Sequence, residues 1–327
     1  MTATVERLDV SSRDGTRLNV ERQGAADAPI VLLAHGWTLS ASFYHRLVDE
    51  LVPDFRVIAY DQRGHGDSGP AGSAGYTPTA LADDLAAVLT AGIPADRQAV
   101  LVGHSMGAMT IVALAGRDPD LLHDKAAAAL LASTGMDQLL IRNRVVPMPL
   151  PVARLARPIT AASFLAPLGS GRNDRASRAM MRRVGLSRTA TAADVAYCTG
   201  IVQACPAPTR RGFAQMLRDL DLTASVPALD IPTQVLVGTH DRLTPPWHAT
   251  RLARALPRCS GVIHIPRAGH MTPLSSADVM AAAVRTLAAR HLRVGTPASA
   301  PASAPVRASA GAPVTAPVTA PAGTEED

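Results

Sequence analysis

The stretch QAVLVGHSMGAMTIVALA, residues 98–115, constrains this chain more than any other. It is mostly apolar, yet His104 and Ser105 interrupt it at the centre, flanked by Gly103 and Gly107. Polar groups carried into a core must find partners or cost stability. The pattern predicts a buried strand that turns sharply into a buried helix, with the polar pair and the small glycines at the turn. A membrane-spanning helix needs ~20 apolar residues, and Gly-His-Ser-Met-Gly at the centre has no place in one. No transmembrane segment is expected.

The same rhythm runs along much of the chain. RLNVERQ (17–23), IVLLAHG (30–36), RVIAYD (56–61), AVLVGHS (99–105) and AAAALLAST (126–134) read as strands. Between them, ASFYHRLVDELV (41–52), PTALADDLAAVLTAG (78–92) and MGAMTIVALAGR (106–117) read as helices. Thr77 before Pro78 supplies an N-cap and a preorganised first turn. Apolar strands alternating with helices imply a mostly parallel, doubly wound sheet covered on both faces. The alternation lapses after about residue 135 and resumes with TQVLVGTHD (233–241), PPWHATRLARALP (245–257), GVIHIP (261–266) and SSADVMAAAVRTLAARHL (275–292). An interruption of that size on a sheet with short connections predicts a helical cap inserted after the sixth strand. The expected organisation is a core in two parts, 1–134 and 227–294, a cap or lid at 135–226, and a tail at 295–327. The tail is built of Ala, Pro, Ser and Thr with few large apolar residues, and is expected to be disordered.

Composition narrows the class further. At 327 residues and 47% hydrophobic content, the chain can bury a sizeable core. The net charge is +5, but Lys125 is the single lysine among 32 basic residues, a bias that fits a GC-rich genome better than a selected surface. No clustered basic face or nucleic-acid signature appears, so a nucleic-acid partner is not expected. Cys198, Cys205 and Cys259 form no evident disulfide framework and fit reduced thiols. The start, MTATVERLDVSSRDG, is charged where a secretory signal would be apolar, and the expectation is a cytoplasmic location.

Gly103-His104-Ser105-Met106-Gly107 matches G-x-S-x-G between a predicted strand and a predicted helix, the context that motif requires. Five residues alone would also fit a serine buried structurally in a turn. Other parts of the chain supply what a reactive serine needs: a base to take its proton and an acid to orient that base. Asp241, in VLVGTHDRLTPP, follows one predicted strand, and His270, in IPRAGHMTP, follows the next. Both fall at carboxyl ends of strands, where open α/β sheets carry their sites. Asp137, in STGMDQ, is a rival for the acid. LLAHGWTLS leaves the third strand at His35-Gly36-Trp37, so the backbone amides of Trp37 and Met106 are candidate oxyanion donors. Asp61, Arg63 and His65 read as a loop-stabilising network, and His104 as a core side chain or buried hydrogen-bonding group. No cluster has metal-ligand spacing, and no Gly-rich loop fits a nucleotide fingerprint.

These residues together resemble the α/β-hydrolase superfamily: HGW at 35–37, DQRGHGDS at 61–68, GHSMG at 103–107, GTHD at 238–241 and GH at 269–270. The resemblance covers about residues 5–292 and is weakest in the insertion. Ala108 replaces the family's second glycine after the turn, a small departure. The resemblance implies an α/β-hydrolase fold in which Ser105 is the nucleophile, His270 the general base, Asp241 its partner, and Trp37 and Met106 the oxyanion donors. The expected activity is carboxylic ester hydrolysis through an acyl-enzyme on Ser105, needing neither metal nor organic cofactor. A cofactor-free haloperoxidase or perhydrolase, a carbon–carbon bond hydrolase, and a non-catalytic ligand-binding member of the fold are the alternatives. The expected partner is a small-molecule ester, apolar or anionic. Residues 141–190 hold ten Arg against one acidic residue, Asp174, and the apolar stretch 148–169 is a candidate contact for acyl chains. A solvated, Arg-biased lid is the plainer alternative.

Overall fold

The computed structural model describes residues 4–72, 75–139, 143–145, 174–187 and 190–292. The apolar stretch 148–169 and the tail 295–327 lie outside the described residues. Eight strands build one sheet: β1 (Glu6–Ser11), β2 (Arg17–Gln23), β3 (Ile30–Ala34), β4 (Arg56–Tyr60), β5 (Ala99–His104), β6 (Ala126–Ala132), β7 (Thr233–Gly238) and β8 (Cys259–Ile265). Their order is β1-β2-β4-β3-β5-β6-β7-β8. Pairings β1–β2 and β2–β4 are antiparallel, and all the others are parallel. The edge strand β1 is the one strand that the sequence pattern did not pick out. It buries Val10 but leaves four of its six residues exposed, so its apolar signal is faint.

The central strands are apolar throughout because successive side chains enter opposite layers. On β5, Ala99 and Leu101 join one core layer while Val100 and Val102 join the other. The first layer is covered by helices α2 (Pro78–Gly92) and α3 (Met106–Arg117), the second by α1 (His45–Leu51) and a long C-terminal helix, Ala277–His291. The Thr77 side chain accepts from the Ala80 amide at 3.1 Å with Pro78 following, which fixes where α2 begins.

Between β6 and β7 the chain leaves the sheet. A short helix precedes β6, α4 (Pro119–Lys125), and among the described residues three follow it: α5 (Arg175–Val184), α6 (Ala192–Ala204) and α7 (Ala207–Asp219). Where this excursion begins and ends, Asp137 bridges Asp221, and the Leu222 amide donates to Met136 O at 2.8 Å. The helices pack on the core: Met181, Val195, Cys198 and Val202 cluster with Leu39, Phe43, Met271 and Leu274. Two polar ties hold α6 down, Arg46 to Asp194 at 2.5 Å and the Tyr197 hydroxyl to Ser42 O at 2.6 Å. The three cysteines are free thiols. No helix of the described residues is long and apolar enough to cross a membrane.

The strand order reverses between β3 and β5, which are direct neighbours although β4 lies between them in sequence. Chains leaving such neighbours part to opposite sides and open a crevice beyond their carboxyl ends. HGW leaves β3 there and GHSMG leaves β5.

Candidate active site

Ser105 sits at the turn from β5 into α3 with φ 53° and ψ −116°, a conformation that side chains beyond glycine rarely adopt. Its amide donates to Ala132 O at 2.9 Å, and its carbonyl accepts from the Thr134 hydroxyl at 2.9 Å and from the amides of Ala108 and Met109. Those bonds from β6 and α3 hold the strained residue in place. The glycines are required by space. A Cβ at Gly107 would fall on the Ala34 carbonyl, and one at Gly103 on the Ala108 backbone. Ser105 is half-buried and lines a cavity.

The loop after β3 is fixed by histidines whose protons are assigned by their partners. His35 donates Nδ1–H to Gly36 O at 2.8 Å and accepts at Nε2 from the Gln62 amide at 2.9 Å. The Gln62 side chain donates to His35 O at 2.5 Å and accepts from the Thr110 hydroxyl on α3 at 2.8 Å. Thr38, with φ 64°, donates its amide to His65 Nε2 at 3.2 Å. Burial lowers the pKa of His35 to about 4 and that of His65 to about 3, so both rings are neutral. Trp37 lines the cavity, whereas Met106 buries its side chain in the core and offers its amide at the first position of α3. That amide lies where the exposed N–H groups and dipole of a helix favour negative charge.

The network expected at Asp61, Arg63 and His65 is extensive. Asp61 accepts from the Ala41 amide at 2.7 Å and from Asn19 Nδ2 and the Asp67 amide at 2.9 Å. Arg63, 1% exposed, pairs with fully buried Asp84 through bonds of 2.8 and 2.6 Å and with Asp14 at 2.7 Å.

Asp241 follows β7 and His270 follows β8, and the two meet. His270 Nδ1 lies 2.9 Å from Asp241 Oδ2. The same oxygen accepts from the Thr244 hydroxyl at 2.9 Å, and Oδ1 accepts from the amides of Leu243 and Thr244, each at 2.9 Å. Burial alone would raise the Asp241 pKa, but His270 and the Thr244 donors outweigh it and hold the carboxyl below its ordinary value. Asp137, the rival acid, pairs instead with Arg251. His240 lies in the turn after β7, and His264 lies on β8.

Ser105, Trp37 and His270 face one cavity of about 330 Å³. Apolar side chains from the core and the inserted helices, including Met109, Met180, Met181, Leu217 and Met271, supply much of its wall. Arg183 reaches the wall, while the described Arg144, Arg175, Arg178 and Arg182 lie off it. Sequence reasoning missed the supporting donors Thr110, Thr134 and Thr244. Nothing in their spacing separates them from ordinary surface or helix threonines.

A twisted, mostly parallel sheet with a serine turn after β5 and a Ser, Asp, His order along the chain defines the α/β hydrolases. The chain belongs to the Alpha/beta hydrolase family, whose model matches residues 31–283. It is 28% identical over 310 aligned residues to a Mycobacterium tuberculosis protein named "Probable oxidoreductase EphD", covering 88% of this chain and 50% of that protein. The chain thus spans about half the length of that relative. It is 29% identical over 243 residues to a non-heme chloroperoxidase of Streptomyces lividans, covering 72% of this chain and 83% of that one. Among solved structures, a thermophilic esterase from Thermogutta terrifontis, malate bound, matches with 29% identity and a TM-score of 0.64. That match covers 87% of this chain and 98% of the esterase.

Proposed function

We propose that the protein is a serine hydrolase that cleaves a carboxylic ester through an acyl-enzyme on Ser105. The observation that carries this reading is the 2.9 Å contact between His270 Nδ1 and Asp241 Oδ2 beside a cavity that Ser105 also lines. A carboxylate accepts, so Nδ1 carries the proton and Nε2 keeps its lone pair free to act as a base. In the proposed cycle His270 takes the Ser105 proton as the oxygen attacks the ester carbonyl. Asp241 stabilises the imidazolium that results. The Trp37 and Met106 amides stabilise the tetrahedral oxyanion, a contribution of roughly 3 kcal/mol per donor. His270 then protonates the leaving alcohol, and water repeats the sequence on the acyl-enzyme. The apolar wall favours uncharged ester groups, and the esterase of Thermogutta terrifontis supports the same reaction class.

The likeness to a non-heme chloroperoxidase supports a second reading, in which hydrogen peroxide replaces water at the acyl-enzyme and a peracid leaves. Both readings share the first half-reaction. Incubation with a fluorophosphonate followed by peptide mass spectrometry should place the label on Ser105, and Ser105→Ala should abolish both labelling and turnover of short 4-nitrophenyl esters. Wild-type turnover by Ser105→Ala would overturn the assignment.

A further inference from the structure

His104 is fully buried, and its Nε2 lies 2.9 Å from the backbone carbonyl of His270, a partner 166 residues away. A carbonyl can only accept, so Nε2 carries the proton and Nδ1 does not. Nδ1 has no hydrogen-bond partner among the described residues and faces Gly36, where a Cβ would come within 2.9 Å of it. The ring therefore stands at the meeting point of three loops. It is covalently next to Ser105, hydrogen-bonded to His270, and in contact with the loop that carries Trp37. Its centroid lies 5.0 Å from the His270 ring and 5.5 Å from Phe43. Burial, with His270 beside it, holds its pKa down to about 3, so the ring stays neutral and its one proton remains committed.

We propose that His104 is a positioning residue: its Nε2–H bond to the His270 carbonyl ties the base-bearing loop to the serine turn and sets where the imidazole stands relative to Ser105. This rests on the serine-hydrolase reading above. Other bonds hold the same loop: the His240 amide donates to Ala268 O at 2.9 Å, His270 itself bonds Asp241, and the Thr272 and Ser133 hydroxyls lie 3.3 Å apart. The Thr272 amide donates to His270 O at 2.8 Å, which is a bond within the loop. The Met271 amide donates to Gly185 O at 2.9 Å, which anchors the loop to the inserted helices. Of all these, the His104 bond alone reaches β5, the strand that carries Ser105. Without it the loop would be placed from the turns after β6 and β7 and from the insertion, with no tie to the serine strand. A misplacement of ~1 Å between reacting groups can cost roughly 100-fold in rate.

The test compares His104→Phe, which keeps a ring but loses the donor, with His104→Gln, whose side-chain amide can still donate to the carbonyl. In 4-nitrophenyl ester hydrolysis His104→Phe should lower kcat by ~10- to 100-fold with KM within about 2-fold, and His104→Gln should recover much of the loss. The downfield proton resonance of the His270–Asp241 bond should broaden or move in His104→Phe and persist in His104→Gln. Wild-type kcat and an unchanged resonance in His104→Phe would overturn the proposal, as would equal losses in both variants, which would mark a packing role. If His104→Phe does not fold, His104→Met against His104→Gln makes the same comparison. Should the wild-type protein neither hydrolyse esters nor take up a fluorophosphonate, the serine-hydrolase reading fails, while the resonance still reports whether His104 orders the His270 loop.

Discussion

Asp241 and His270 are joined across two loops by a 2.9 Å bond from Nδ1–H to Oδ2, and both Asp241 oxygens are saturated with donors. An amide at position 241 would turn a donor toward His270 and disfavour the tautomer that leaves Nε2 basic. Asp241→Asn is expected to lower kcat by about 10³- to 10⁴-fold with KM little changed. Asp137→Asn breaks the pair with Arg251 and should leave kcat within about 3-fold. Ester turnover by the two purified variants checks the assignment, and a large loss confined to Asp137→Asn would reverse it.

Gln62 connects α3 to the loop after β3, accepting from Thr110 and donating to His35 O. Gln62→Leu leaves the His35 carbonyl without its partner inside the core, at a cost of about 1–3 kcal/mol, while the Thr110 hydroxyl keeps its bond to Met106 O at 3.0 Å. It should lower the melting temperature and reduce kcat by ~10-fold with little change in KM, because the Trp37 amide loses its support. Equal kcat in the variant would separate this relay from catalysis.

Arg63 and Asp84 form an ion pair in which neither side chain is more than 1% exposed. Removing one partner strands the other charge in a low-dielectric setting. Arg63→Met should destabilise by about 3–5 kcal/mol, and the double variant Arg63→Met/Asp84→Leu should regain most of that loss. Denaturant midpoints of the wild type, Arg63→Met, Asp84→Leu and the double variant measure the coupling.

Acid should weaken the fold well above the carboxylate range. His35, His65 and His104 are buried and neutral, with pKa values lowered to about 4, 3 and 3, while in the unfolded chain each titrates near its ordinary value of 6.5. Below about pH 6.5 the unfolded chain binds protons that the native state refuses, so stability falls as pH drops toward those native values. Each histidine contributes up to about 1.4 kcal/mol per pH unit within that window. The melting temperature should decline steeply between pH 6.5 and 5, a range in which ordinary carboxylates remain ionised. A flat profile there would contradict the burial of these rings.

The sequence by itself determined the serine turn, because Gly103 and Gly107 amid apolar residues leave few other backbones open to residues 98–115. It also determined the order of the central strands along the chain and the reappearance of the pattern at 233–292, since burial on two faces writes itself into composition. Candidate residues 37, 105, 106, 241 and 270 were legible for the same local reason: each falls just past a predicted strand. The edge strand β1 was not legible, because one buried valine among exposed neighbours carries little pattern. Tertiary structure alone decided which carboxylate meets His270, since Asp137 and Asp241 both follow strands and only the packing of loops gives Arg251 to one and the imidazole to the other. It alone gave His104 its partner, 166 residues away. Local periodicity records how deep a residue lies, whereas contacts between loops depend on where the sheet delivers their ends, and no short-range pattern encodes that.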